Sequence, residues 1–152
     1  MKLYLDCCCY NRPYDDQTQE KIHMEGEAIL GIIYRCRQNH DEIVGSPVVD
    51  LEIDNINNIE KREKVRYFYE KTITMKLKYS IKILERVKEL SEQTNIKTID
   101  KFHLSFAENC GADVLLTTDK KFEKACSKLY LGTKVINPLN YLMEVIENGY
   151  DN

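Results

Sequence analysis

Four acidic residues are spaced along the chain so that together they could hold a divalent cation: Asp6, Glu52, Asp100 and Asp119. Magnesium and manganese prefer carboxylate oxygens, and a bound cation activates water and stabilises the charge that develops during attack on a phosphodiester. For any one of these acids, a capping or surface role is the commoner explanation. Four of them at one edge of a sheet would repel one another, which favours a cation between them. The residue types therefore indicate metal-assisted phosphodiester chemistry.

Two of the acids follow segments that have the character of buried strands. Asp6 comes directly after residues 2–5, and Asp119 follows the apolar run 114–118. In open α/β sheets, ligands bind beyond the carboxyl ends of the strands. We therefore expect Asp6 and Asp119 to lie at the same edge of one sheet.

The other two acids are expected near the beginnings of helices. Ser46, followed by a proline, is typical of a helix N-cap and predicts a helix that carries Glu52. Thr98 is expected to cap a further helix that ends at a glycine stop, with Asp100 in its first turn. A carboxylate in that turn is also favoured by the helix dipole alone.

Strand and helix patterns alternate along the rest of the chain. Apolar residues at helical spacing, or a lack of Gly and Pro, predict helices over 18–36, 60–71 and 73–90, with a turn near 72–74. Residues 42–45 and 134–137 read as strands, and a proline at 138 begins the last helix. This alternation predicts an α/β fold with a central parallel sheet and helices on both faces. No linker or repeat is visible, so we expect one domain over residues 1–152.

Charge is distributed unevenly. The chain has a net charge of −3, yet residues 60–90 carry 10 basic and 5 acidic side chains. A solvated helix face is the simpler interpretation. If the acidic remainder holds metal, the basic segment could instead bind phosphate, with Arg62, Lys64 and Arg66 as the candidate RNA-binding residues.

Six cysteines do not form a recognisable zinc or disulfide pattern. Cys7, Cys8 and Cys9 are contiguous, and on a strand their side chains would point to alternate faces. We expect reduced, mostly buried cysteines, with redox sensing by Cys7 or Cys8 as the alternative. No apolar run is long enough to cross a bilayer and no signal peptide is visible, so the expected location is the cytoplasm.

Taken in order, these segments resemble the PIN-domain family. The resemblance rests on the first strand with Asp6, the segment Ser-Pro-Val-Val-Asp-Leu-Glu that ends at Glu52, the Asp-x₆-Ala helix that begins at Asp100, and the Thr-Thr-Asp-Lys-Lys-Phe segment around Asp119. It covers roughly residues 2–137. It implies a three-layer sandwich and a VapC-like ribonuclease whose four acids bind Mg²⁺ or Mn²⁺ and cleave RNA to leave 5′-phosphate and 3′-hydroxyl ends.

Supporting residues and partners complete the hypothesis. Thr117 and Asn11 could orient an acid or a water, although turn chemistry is the alternative. His103 follows Asp100 by three residues and could reach a phosphate, but a packed, hydrogen-bonded histidine is the favoured interpretation. The expected partners are RNA, a candidate antitoxin protein and a candidate second copy of the chain.

Two function classes remain open at this point. The first is an active endoribonuclease, either a toxin or a stand-alone RNA-processing enzyme. The alternative is a catalytically silent PIN fold that binds RNA or a protein. A phosphoacceptor-aspartate domain is disfavoured because three cysteines follow Asp6 where a second acid would be needed.

Overall fold

A computed structural model of the chain describes residues 1–150. Its strands are β1 (Lys2–Leu5), β2 (Glu42–Gly45), β3 (Met75–Lys76), β4 (Val114–Leu116) and β5 (Lys134–Ile136). Its helices are α1 (Cys7–Asn11), α2 (Glu20–Asn39), α3 (Pro47–Asp54), α4 (Ile59–Thr72), α5 (Ile81–Gln93), α6 (Thr98–Asn109), α7 (Lys120–Cys126) and α8 (Pro138–Tyr150).

The five strands form one parallel sheet in the order β3-β2-β1-β4-β5. The central strand β1 has Leu3, Tyr4 and Leu5 fully buried, as expected of a parallel strand covered on both faces. Helix α2 packs against α8, and α5 packs against α6. The predicted α/β architecture with a central parallel sheet is confirmed. The strand order reverses between β1 and β4, and such a switch point opens a crevice at the carboxyl ends of the strands.

The glycine stop after α6 is also as predicted. Gly111 has a left-handed backbone with a φ of +73°, which a residue without a Cβ adopts at little cost. Its N–H donates to the carbonyl of Glu108 at 3.0 Å, and the N–H of Ala112 donates to the carbonyl of Ala107 at 2.9 Å. These two bonds close a Schellman motif and turn the chain into β4.

The helix predicted over residues 73–90 is wrong in its first half. Helix α5 begins only at Ile81, and Met75–Lys76 forms an edge strand parallel to β2. Backbone bonds hold it there: Thr74 N–H donates to the carbonyl of Ile43 at 2.7 Å and Leu77 N–H to that of Gly45 at 2.8 Å. The spacing of apolar residues carries no information about strand pairing, so it could not show that the edge of β2 is available to this segment.

Two local predictions also need correction. Thr98 is the first residue of α6, and Lys97 occupies the N-cap position without a side-chain cap. Cys7, Cys8 and Cys9 lie on α1 rather than on a strand, because the chain coils immediately after β1. All six cysteines are free, as expected. Among residues 1–150, no helix combines the length and apolar composition needed to span a bilayer.

Candidate active site

Asp6 lies at the switch point, where β1 ends beside β4. Its N–H donates to the carbonyl of Leu116 at 2.9 Å, which fixes the backbone against β4. The buried hydroxyl of Thr117 donates to Asp6 Oδ2 at 2.9 Å and accepts from the N–H of Asp119 at 3.1 Å. Thr117 therefore connects the Asp6 carboxylate with the backbone of Asp119, and it engages Oδ2 rather than Oδ1 of Asp6.

Glu52 reaches the same point from the second turn of α3. Ser46 caps that helix as predicted, since its Oγ accepts from the N–H of Val49 at 3.3 Å. The Glu52 carboxylate is hydrogen bonded to His103 Nε2, and the same nitrogen lies 3.4 Å from Asp6 Oδ1. One ligand atom from each of Asp6, Glu52 and His103 falls within 4.8 Å of the others.

His103 is fully buried and has a partner on each ring nitrogen. Its Nδ1 is 2.6 Å from the hydroxyl of Tyr4, which is in turn 2.7 Å from Ser46 Oγ. The expectation of a packed, hydrogen-bonded histidine is confirmed. Sequence reasoning missed its partners, which are two of the candidate metal ligands. The sequence offered one indication of this placement: His103 follows Asp100 by three residues and so lies on the same face of α6.

Asp100 has a strongly perturbed carboxyl group. Burial, followed by the negative charge of Asp6, raises its pKa to about 7, and Asp119 and Glu52 add to that rise. His103 acts in the opposite direction. The charges of the other three predicted acids thus all act on Asp100, as expected of acids that could share a cation.

The pKa of the His103 imidazole is determined by opposing effects. Burial disfavours its charged form, but the negative charge of Asp6 and the hydrogen bond to the Glu52 carboxylate outweigh that cost and raise its pKa. A raised pKa of both Asp100 and His103 is the response expected of a crowded cluster of acids.

Asp119 and Asp100 line a cleft of about 390 Å³. Asp119 Oδ1 caps α7 by accepting from the N–H groups of Lys121 at 3.0 Å and Phe122 at 3.2 Å. Lys97 and Lys121 lie along the same cleft and were not singled out from the sequence. The only indication in the sequence that these lysines belong to the site was their position beside the two acidic motifs.

Asn11 is not placed against any of the acids. Within the described residues, its amide nitrogen donates to Cys7 Sγ at 3.6 Å, and its buried oxygen has no hydrogen-bond partner. Nothing in these contacts gives Asn11 a part in orienting the carboxylates, so its supporting role stays a prediction.

The three candidate RNA-binding residues lie on α4, and each contacts a group of the same chain. Arg62 donates to the carbonyl of Ile56 at 3.1 Å, and Lys64 pairs with Glu60 at 3.1 Å. Arg66 pairs with Asp54, two residues after Glu52 in the sequence. These internal contacts neutralise part of the basic segment, and the RNA-binding role stays a prediction.

A family model described as the PIN domain matches residues 20–128, which is more than half of the chain. The chain belongs to the PIN domain family. The matched range includes Glu52, Asp100 and Asp119, whereas Asp6 precedes it. No curated protein sequence matches the chain significantly.

Two solved structures share the fold of this PIN domain. VapBC2 from Rickettsia felis, bound to a DNA fragment from its promoter, is similar with a TM-score of 0.60 at 16% identity, over 90% of this chain and 98% of that one. FitAcB from Neisseria gonorrhoeae is similar with a TM-score of 0.57 at 13% identity, over 90% and 97% of the two chains. At these identities the likeness shows the fold alone.

The donor set of this PIN domain fits a divalent cation. Asp6 and Glu52 supply hard carboxylate oxygens, and the adjacent imidazole of His103 is a borderline donor that transition metals accept. Of the three contiguous cysteines beside the site, Cys7 and Cys9 are buried and Cys9 Sγ donates to the carbonyl of Leu116 at 3.3 Å. The ligands on offer are therefore oxygen and nitrogen rather than thiolate.

Proposed function

We propose that this PIN domain is a Mg²⁺- or Mn²⁺-dependent endoribonuclease that hydrolyses RNA phosphodiesters at the cleft between β1 and β4. The observation that carries the proposal is the convergence of Asp6, Glu52, Asp100 and Asp119 at the carboxyl end of the sheet. A silent binding module has no need of four acids at one edge of a sheet. The charges of Asp6, Asp119 and Glu52 add to the rise that burial causes in the pKa of Asp100.

The chain's own residues hold and orient the reacting groups. Asp6, Asp100 and Asp119 would bind the cation, and Glu52 would complete the site or orient a water. When bound, the cation supplies Lewis-acid stabilisation of the charge that builds up on the phosphate. Thr117 holds Asp6 Oδ2 in place, so the carboxylate does not have to reorganise as the substrate binds.

Basic residues beside the acids provide a path for the phosphate backbone. Lys97 and Lys121 line the same cleft as Asp100 and Asp119, so a phosphate could contact a lysine while its scissile bond faces the acids. Arg62, Lys64 and Arg66 lie on α4, which packs against the helix α3 that carries Glu52, and they would extend this path. The products expected from the family resemblance are 5′-phosphate and 3′-hydroxyl ends.

We further infer that an antitoxin protein is the partner of this chain. The inference is drawn from the similar structure of VapBC2 from Rickettsia felis, which shares the fold across nearly its whole length. Self-association into a homodimer and a cytoplasmic location remain expectations from the sequence. Co-expression with the product of the adjacent reading frame tests the inference: a stable complex that blocks RNA cleavage supports it.

Cleavage assays on Asp6→Asn and Asp119→Asn test the nuclease proposal. Asparagine keeps the shape of each side chain and can still cap α7, so folding is preserved while the charge that holds the cation is lost. The control is Glu92→Gln, which removes an exposed carboxylate on α5. Partner-free wild type and control should cleave a broad RNA pool with manganese present, and both aspartate variants should lose most of that activity.

The same assay contains the result that would refute the proposal. If partner-free wild type cleaves no faster than Asp6→Asn, the protein is not a nuclease of this kind. If it then still binds RNA, the catalytically silent module is the correct description. Sequencing the ends of the products checks that the cut leaves a 5′-phosphate.

A further inference from the structure

His103 stands out because a nitrogen atom faces two of the four candidate carboxylate ligands. Its Nε2 is hydrogen bonded to Glu52 and lies 3.4 Å from Asp6 Oδ1. The side chain is fully buried on α6, so the ring cannot swing into solvent. A histidine that served packing alone would not need to present a donor atom to this pair of acids.

We propose that His103 Nε2 is itself a ligand of the cation, which makes the site a mixed nitrogen and oxygen site that favours Mn²⁺ over Mg²⁺. The inference rests on the proposed function, since it concerns the same cation. Carboxylates accept both metals, whereas Mg²⁺ demands oxygen ligands and an imidazole suits transition metals. His103 would therefore set the choice of metal.

The distances around Nε2 are close to those that shared coordination requires. Two neighbouring ligand atoms of an octahedral ion, each at the usual bond length, lie about 3 Å apart. The 3.4 Å between Nε2 and Asp6 Oδ1 already approaches that value. Glu52 sits closer to Nε2 than this, so its flexible, half-buried side chain has to move back slightly as the cation enters.

Tyr4 and Ser46 hold the other ring nitrogen in the way a metal-bound histidine needs. For Nε2 to offer its lone pair, Nδ1 must carry the proton and donate it to an acceptor. The Tyr4 hydroxyl, 2.6 Å away, can accept that bond and donate onward to Ser46 Oγ at 2.7 Å. A hydroxyl can also donate to Nδ1, so the same chain accommodates the metal-free state in which Nε2–H bonds to Glu52.

Electron spin-echo spectroscopy of Mn²⁺ bound to tag-free protein tests the inference directly. A directly coordinated imidazole gives nitrogen modulation of the echo, which carboxylate and water ligands do not. The chain has three histidines, so the variants His103→Gln and His23→Gln assign the signal. His23 is exposed on α2 and bonds to Gln17, which makes it the matched control.

We expect nitrogen modulation in wild type and in His23→Gln and its loss in His103→Gln. Titrations should show Mn²⁺ affinity falling by at least about tenfold in His103→Gln, with a smaller change for Mg²⁺. Circular dichroism checks that this variant folds, and even if it does not, a wild-type spectrum without nitrogen modulation overturns the inference.

Two other results separate failure of this inference from failure of the proposed function. If wild type binds Mn²⁺ without nitrogen modulation, His103 only positions Glu52, and the inference is overturned while the nuclease proposal stands. If chelator-stripped wild type binds neither Mn²⁺ nor Mg²⁺ at millimolar concentration, the cation site is absent and both proposals are overturned.

Discussion

Replacing Asp100 with asparagine should stabilise the metal-free protein, and more so as the pH rises. The carboxyl group is buried beside Asp6, Asp119 and Glu52, and its pKa is raised from 3.8 to about 7. A raised carboxyl pKa means that the folded protein prefers the protonated form. The contribution of the protonated Asp100 to the free energy of unfolding is therefore fully present below pH 3.8, and it is lost as the pH rises towards 7. Asparagine cannot ionise, so Asp100→Asn removes this loss.

The magnitude follows from the size of the pKa shift. A rise from 3.8 to about 7, at 1.36 kcal/mol per unit, corresponds to up to about 4 kcal/mol at pH 8. By the same linkage, about 2 kcal/mol of this contribution to the free energy of unfolding has already been lost at pH 5. The stabilisation by Asp100→Asn should thus grow by roughly 2 kcal/mol between pH 5 and pH 8. Any pH-independent packing effect of the amide cancels in that comparison.

Urea unfolding in the presence of a chelator, at pH 5 and at pH 8, measures the effect. Glu92→Gln serves as the control, because its exposed carboxylate should leave the pH dependence unchanged. Parallel pH profiles for wild type and Asp100→Asn would refute the claim that Asp100 lies in a cluster of like charges. With metal at 100 times its Kd, the advantage of Asp100→Asn at pH 8 should shrink by about 2.7 kcal/mol, since the cation stabilises wild type alone.

Two further predictions concern packing and RNA binding. Gly45→Ala should destabilise the protein by about 1–3 kcal/mol in urea unfolding, because a Cβ there would collide with the Tyr69 hydroxyl. Gly31→Ala on α2, where a Cβ would meet only an ordinary contact at 3.6 Å, should instead be neutral or stabilising; equal effects would contradict the packing argument. For RNA binding, the three basic residues on α4 are neutralised together: Arg62→Gln, Lys64→Gln and Arg66→Gln. The slope of log affinity against log salt should flatten by about 2, at about 0.7 per lost phosphate contact on a single strand. The control triple neutralises three exposed basic residues outside α4: Arg35→Gln, Lys128→Gln and Lys134→Gln. An equal change of this slope in both triple variants would mean that the basic segment is a solvated helix face and does not bind RNA.

The sequence predicted the parts of this protein that depend on local chemistry. Alternating strand and helix patterns identified a parallel α/β sheet, because residues buried on both faces must be apolar along the whole strand. Ser46 with Pro47, and Gly111, marked helix ends through backbone requirements that are visible one residue at a time. Asp6 and Asp119 were found because they follow strands whose carboxyl ends meet at one edge.

Other features depend on which segments meet in space. The edge strand Met75–Lys76 exists because β2 offers unpaired backbone groups 31 residues earlier, as the bond from Ile43 N–H to Thr74 Oγ1 illustrates. Helical spacing of apolar residues in that segment gave no sign of it. A strand of two residues carries too little pattern of its own to compete with the neighbouring amphipathic helix.

By itself, the sequence determined the fold class, the family resemblance and the four candidate acids, since each follows from residue type and spacing along the chain. Only the tertiary structure decided that His103 lies between Asp6 and Glu52. Its bond to Glu52 joins residues 51 positions apart, and its bond to Tyr4 joins residues 99 apart. The raised pKa of Asp100 is likewise a property of burial and of charges brought in from three other elements. Desolvation and Coulomb interaction depend on distance in space rather than on separation in sequence, and the fold sets those distances.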